Sequence, residues 1–143
     1  DPLKKDKRYA KINLKRLVEI SDVISIHVHV NNKTKYMLSK KILKYAKKKP
    51  IIINTSRGEI IDEQALANLL FKKKIGGAGL DVFEHEPQVT PKLFETENSV
   101  LLPHISSATI ESRIDMGIRV IKNIEFFANG KNPPDLVKKP YYD

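Results

Sequence analysis

IIINTSRGEIIDEQALANLLFKKKIGGAGLDVF, residues 51–83, decides the fold. A short apolar run, IIIN, is followed by a segment whose apolar Ala65, Leu66, Leu69 and Leu70 fall at helical spacing, and then by a second short run, GAGL. A strand, helix and strand of this length form a right-handed crossover between parallel strands. Each run ends in a residue that packing does not need: Arg57 after the first, Asp81 after the second. Further along, SVLL, broken by Pro103, runs into His104 in the same way. Upstream, DVISIHVHV at residues 22–30 reads as another buried strand rich in Val and Ile. The expectation is an α/β fold, a parallel sheet with crossover helices.

Open parallel sheets bind ligands beyond the carboxyl ends of their strands. Neighbouring strands lie about 4.8 Å apart, so Arg57, Asp81 and His104 are expected to converge on one small volume. A guanidinium grips a carboxylate or carbonyl oxygen in fixed geometry, and an imidazole moves a proton near neutral pH. Glu86, five residues after Asp81, is placed to accept the imidazole's second N–H. Taken singly, each residue has a plain structural reading: Arg57 at the surface, Asp81 capping a turn, Glu86 solvated, His104 filling a corner after Pro103. Their joint occurrence at three strand ends is what packing does not require.

Composition narrows the function classes. The 143 residues suit one ordinary domain, and 41% apolar content supports a packed core. There is no cysteine, which excludes disulfides and thiolate chemistry. No apolar run approaches a membrane span and the basic start lacks the apolar core of a signal peptide, so no membrane partner and a cytoplasmic location are expected. The 26 Lys and Arg against 17 Asp and Glu give a charge of +9. A nucleic-acid module with that charge would show steep salt-dependent binding. The lysine excess is dispersed, however, and the runs at 47–49 and 72–74 each follow a helical pattern, where cations meet a helix carboxyl end. A solvated surface without a nucleic-acid partner is the expectation.

Along the chain, residues 8–12 suggest a short edge strand, and Leu14, Leu17 and Val18 one helical face. His27 and His29 alternate on one strand face but lack a third ligand at metal spacing, so a packed or cofactor-lining role is expected and no metal site. Residues 39–49 read as a helix capped by Ser39 and stopped by Pro50. Gly58 relieves the turn after Arg57, Asp62 caps the next helix, and Gly76-Gly77 ends it. Ser106 or Ser107 is expected to cap a long helix with a buried stripe of Ile110, Ile114, Ile118, Ile121 and Ile124. Gly130 ends it, and Pro133-Pro134 begins an extended tail. No G-x-G-x-x-G occurs, and a nucleotide fold without that turn either binds something else or lacks its beginning.

The ordered set INTSRG, AGLDVFEHEP and LLPHISSAT, within residues 14–137, resembles the D-isomer-specific 2-hydroxyacid dehydrogenases. DVFEHEP with LLPHISSATIESRIDMG and the PPD tail is most similar to the glyoxylate and hydroxypyruvate reductase branch. The resemblance implies a partial Rossmann-like NAD(P)-binding domain lacking its glycine-rich first βαβ. Residues 1–130 would be its carboxyl-terminal part, and 131–143 a tail returning to a substrate domain. It also implies hydride transfer between NAD or NADP and a small 2-oxo or 2-hydroxy acid such as glyoxylate or hydroxypyruvate. Arg57 would orient the substrate, His104 would be the acid/base and Glu86 its carboxylate partner. Thr55, Ser56, Arg57, Asp81, His104, Ile105, Ser106 and Ser107 would line the cofactor pocket, and the parent would be a homodimer. His29 stands where the family usually has Pro. Asp1 is a candidate for the acid on the adenine ribose, although it lies nearer Ser21-Asp22 than is usual. The isolated chain is expected to be inactive. The rival reading is a non-catalytic, dinucleotide-sensing regulator or corepressor, which turnover of glyoxylate or hydroxypyruvate by the complete protein would separate from an enzyme.

Overall fold

The computed structural model describes residue 8 and residues 10–137. Four strands, β1 (Val23–Ile26), β2 (Ile51–Asn54), β3 (Gly77–Leu80) and β4 (Ser99–Leu101), form one parallel sheet in the order β1-β2-β3-β4. Val23 lies opposite Ile51, Ile51 opposite Gly77, and Ala78 opposite Ser99. Among the described residues four α-helices accompany them: α1 (Leu14–Ile20), α2 (Lys40–Leu43), α3 (Glu63–Phe71) and α4 (Ile110–Ala128). Val18, Ile24, Leu43, Ile52, Leu66 and Leu93 are among the side chains buried in one core. The chain divides into two units between His104 and Ile105.

α1 starts at Asn13, whose side chain accepts from the Arg16 N–H at 2.8 Å, and α3 at Asp62, which accepts from the Ala65 N–H at 2.9 Å. α3 does not end at the glycine pair. Lys73, with φ 53°, takes the left-handed position. Its N–H reaches the Leu70 carbonyl and that of Lys74 the Leu69 carbonyl, each at 2.8 Å, which is a Schellman closure. Gly76 serves a different purpose, because a Cβ there would lie 2.3 Å from the Lys49 carbonyl oxygen.

Other expectations are corrected. The strand expected over 22–30 pairs only as far as Ile26, because β2 leaves the ladder at its partner Asn54. Beyond that point His27 and His29 are exposed rather than packed, while Val28 between them packs against the core. The segment 39–49 makes a single helical turn, with Ser39 at its N-cap position as expected but without a side-chain cap bond. Tyr45 and Ala46 then bond three residues back, Lys49 adopts φ 51°, and lysines at 40, 44 and 48 would repel at i,i+4 in a longer helix. Lys47 and Lys48 instead pair with Glu19 and Asp22, at 2.6 and 3.2 Å. Arg8 lies in a turn and residues 10–12 join no strand, since β1 pairs only with β2 among the described residues; Tyr9 and Asp1 lie outside them.

In the second unit Thr109, not Ser106 or Ser107, caps α4, accepting from the Ser112 N–H at 3.2 Å. The isoleucine stripe is not buried: Ile110, Ile114, Ile118, Ile121 and Ile124 are 46–76% exposed. The described part of this unit holds one helix and its flanking turns, so it offers the stripe no layer to pack against. Gly130, with φ 66°, follows the helix end. The tail turns back rather than extending, with Asp135 held by Arg119 at 2.5 and 2.6 Å and by Asn123 at 2.7 Å. No described helix is long and apolar enough to cross a membrane.

Candidate active site

The loop after β2 is built by Asn54. Its buried side chain donates to the Arg57 carbonyl at 2.9 Å and accepts from the Ser56 N–H at 3.1 Å, closing residues 54–57 into a fixed turn. Ser56 donates its hydroxyl to the Val28 carbonyl at 2.5 Å, tying this turn to the segment beyond β1. Thr55 and Arg57 are exposed. The Arg57 guanidinium makes one local bond, from Nη1 to the Ser56 carbonyl at 2.7 Å.

Gly58 is not a turn relief. A Cβ there would sit 2.0 Å from the carbonyl carbon of Phe83 and 2.4 Å from the nitrogen of Glu84. The absence of a side chain lets the loop after β2 lie directly on the loop after β3. β3 delivers Asp81, 2% exposed, whose N–H donates to the Asn54 carbonyl at 3.0 Å.

Glu86 divides its carboxylate. Oε1 accepts from the Phe83 N–H at 2.9 Å, and Oε2 lies 2.7 Å from Nδ1 of His104. Desolvation alone would raise its pKa. Bonds from His104 and the Phe83 N–H outweigh that, and the charges of His104 and Arg57 add to them, so the net shift is downward. Glu86 is therefore ionised at neutral pH and acceptor-only, which assigns the proton of this bond to Nδ1. His104 reaches its place from β4 through Leu102, whose N–H donates to the Leu80 carbonyl at 2.8 Å, and through Pro103. It adopts φ 54°, a left-handed conformation uncommon outside glycine, and such local strain concentrates at functional sites. The structure thus joins Glu86 and His104, brings the charge of Arg57 to bear on Glu86 and buries Asp81. Ile105, Ser106 and Ser107 belong to the second unit.

The NAD-binding-domain model of the D-isomer-specific 2-hydroxyacid dehydrogenases matches residues 1–106. The chain belongs to this family. It is 47% identical over 128 residues to a glyoxylate reductase from Thermococcus litoralis, covering 90% of this chain and 39% of that one. Solved relatives include a glyoxylate reductase from Paecilomyes thermophila, 35% identical with a TM-score of 0.79, covering 90% of this chain and 39% of that chain. Another is an NADPH-dependent glyoxylate/hydroxypyruvate reductase from Sinorhizobium meliloti solved with NADP and malonate, 35% identical with a TM-score of 0.77, covering 83% and 38% respectively. The chain therefore spans about two fifths of the length of these relatives. Its sheet is the Rossmann-like parallel sheet of that family.

Three further residues shape the site and escaped the sequence reading. Tyr36 donates its hydroxyl to Glu84. Asn54 looks in sequence like the polar end of a strand. Glu63 looks like a solvated acid in a first helical turn, but is 5% exposed. A polar residue closing an apolar run was the only signal for Asn54, and nothing local marked the distant partners of Glu63 and Tyr36.

Proposed function

We propose that this chain is the nicotinamide-facing part of an NAD(P)-dependent reductase of small 2-oxo acids, with glyoxylate and hydroxypyruvate as the substrates to test. The observation that carries the reading is the Glu86–His104 contact at 2.7 Å, held at the ends of β3 and β4 with His104 in a left-handed conformation. Because Nδ1 donates to Glu86, Nε2 is the nitrogen left to give a proton to the substrate carbonyl oxygen and to take it back in the reverse direction. Arg57, exposed on its fixed turn, has the planar fork to hold the substrate carboxylate and to stabilise the developing alkoxide.

The polar groups here suit the amide end of a dinucleotide, which both donates and accepts hydrogen bonds: the Thr55 and Ser56 hydroxyls at the end of β2, and the carboxyl of buried Asp81 at the end of β3. A reduced nicotinamide, when bound, supplies the hydride that the 2-carbon receives. No G-x-G-x-x-G for a pyrophosphate occurs in the sequence. On this reading residues 1–130 are the carboxyl-terminal part of the NAD(P)-binding domain, and 131–143 lead back to a substrate domain.

In the complete enzyme, His104→Asn is expected to lower turnover by roughly 10²- to 10⁴-fold while dinucleotide affinity stays near wild type. Steady-state reduction of glyoxylate and hydroxypyruvate, with dinucleotide binding by fluorescence, checks both parts. A variant keeping most of its turnover would remove His104 as the proton donor.

A further inference from the structure

Glu63 is a buried carboxylate that the proposed chemistry does not use. It occupies the first position of α3, where a negative charge is favoured by the helix dipole. Its neighbour Asp62 already provides the cap, so the Glu63 carboxylate is free to reach elsewhere. Oε2 accepts from the Glu84 N–H at 2.8 Å and Oε1 from the Thr90 N–H at 2.9 Å. Those two amides bracket the segment that carries Glu86. Between them the Gln88 N–H closes the segment on the His85 carbonyl at 2.9 Å. On its other side the same segment rests on Gly58, whose missing side chain lets the loop after β2 touch Phe83 and Glu84.

We propose that Glu63 is a positioning residue for the Glu86–His104 pair: one carboxylate clamps both ends of residues 84–90 and so fixes the place of the Glu86 side chain. The proposal rests on the reading of Glu86 and His104 as a proton-transfer pair. Both Glu63 oxygens act as acceptors, and an isosteric amide can fill only one of those positions. In Glu63→Gln the NH₂ group meets one of the two backbone N–H donors face to face, so the clamp opens at one end with no change in volume. A displaced Glu86 acts on turnover and not on the remote parts of a dinucleotide site.

The test is a double-mutant cycle in the complete enzyme, with Glu63→Gln, Glu86→Gln and the pair, measuring kcat and both KM values for glyoxylate reduction with NADH or NADPH. Glu63→Gln is expected to lower kcat by on the order of tenfold or more, with the dinucleotide KM unchanged. In the double variant the loss should be no larger than that of Glu86→Gln alone, because Glu63 acts through Glu86. A Glu63→Gln enzyme with wild-type kcat, or one whose loss multiplies with that of Glu86→Gln, overturns the positioning role while leaving the proton-transfer reading intact. If Glu86→Gln itself leaves kcat unchanged, the proton-transfer reading fails, and the role of Glu63 with it. Should Glu63→Gln not yield folded enzyme, Glu63→Asp enters the same cycle; it keeps the charge but is one methylene shorter, and the same non-additivity is expected.

Discussion

Adding one methyl group at Gly58 tests whether the loops after β2 and β3 are fixed by direct backbone contact. In Gly58→Ala the new Cβ would meet the Phe83 carbonyl carbon at 2.0 Å, its oxygen at 2.2 Å and the Glu84 nitrogen at 2.4 Å. Ordinary contact begins near 3.4 Å, so the two backbones have to part by more than an ångström. No flexible side chain is available to absorb that movement. Overpacking costs about 1–3 kcal/mol, and a clash between two backbones belongs at or above the upper end of that range. A loss of about 3 kcal/mol lowers the melting temperature of a protein of 150–250 residues by roughly 6–12 °C, and that of a longer complete enzyme by less, a shift of several degrees. The functional effect is expected to be larger than the stability loss suggests. Arg57 precedes Gly58, and Glu86 hangs from the segment that would be pushed away, so a misplacement near 1 Å lowers turnover by on the order of 10²-fold. Thermal unfolding of the complete enzyme and its kinetics on glyoxylate check the two parts. A Gly58→Ala protein that melts with the wild type and reduces substrate at the wild-type rate would refute the contact as the device that sets the site.

Two further outcomes follow from charge and backbone conformation. Glu86 has its pKa lowered from the ordinary value of 4.5. Its contribution to stability is therefore present above that value and is lost as pH falls through the depressed folded-state value. Glu86→Gln should consequently destabilise the protein near pH 7 and cost progressively less below about pH 4.5, as read from urea midpoints across the range; a deficit that stays constant down to pH 3 would contradict the sign. Lys73 holds a left-handed conformation at the end of α3, so Lys73→Gly should raise stability by about 0.5–1 kcal/mol in the same assay. The pair that the Lys73 ammonium makes with Glu97 spans 3.8 Å between exposed side chains and contributes too little to offset that gain.

The sequence by itself determined the parallel α/β character and the placement of Arg57, Asp81 and His104 after three strands. Both follow from local rules: short apolar runs, helical spacing between them, and polar residues beyond their ends. It also marked Glu86 and His104 as partners, which the 2.7 Å contact joins. Tertiary structure decided what depends on residues far apart in the chain. Gly58 reads locally as a turn glycine, yet its reason is a backbone 25 positions away, at Phe83. Glu63 reads as a helix-start acid, while its carboxylate holds amides 21 and 27 positions later. The helix expected over 39–49 is one turn, after which Tyr45 and Ala46 bond three residues back and Lys49 turns the chain with φ 51°. Hydrophobic period marked the stripe on α4 correctly as apolar, but period says which residues share a face and not what covers it. Local pattern fixes which residues a strand or helix presents; only the packed chain fixes which distant backbone each one meets.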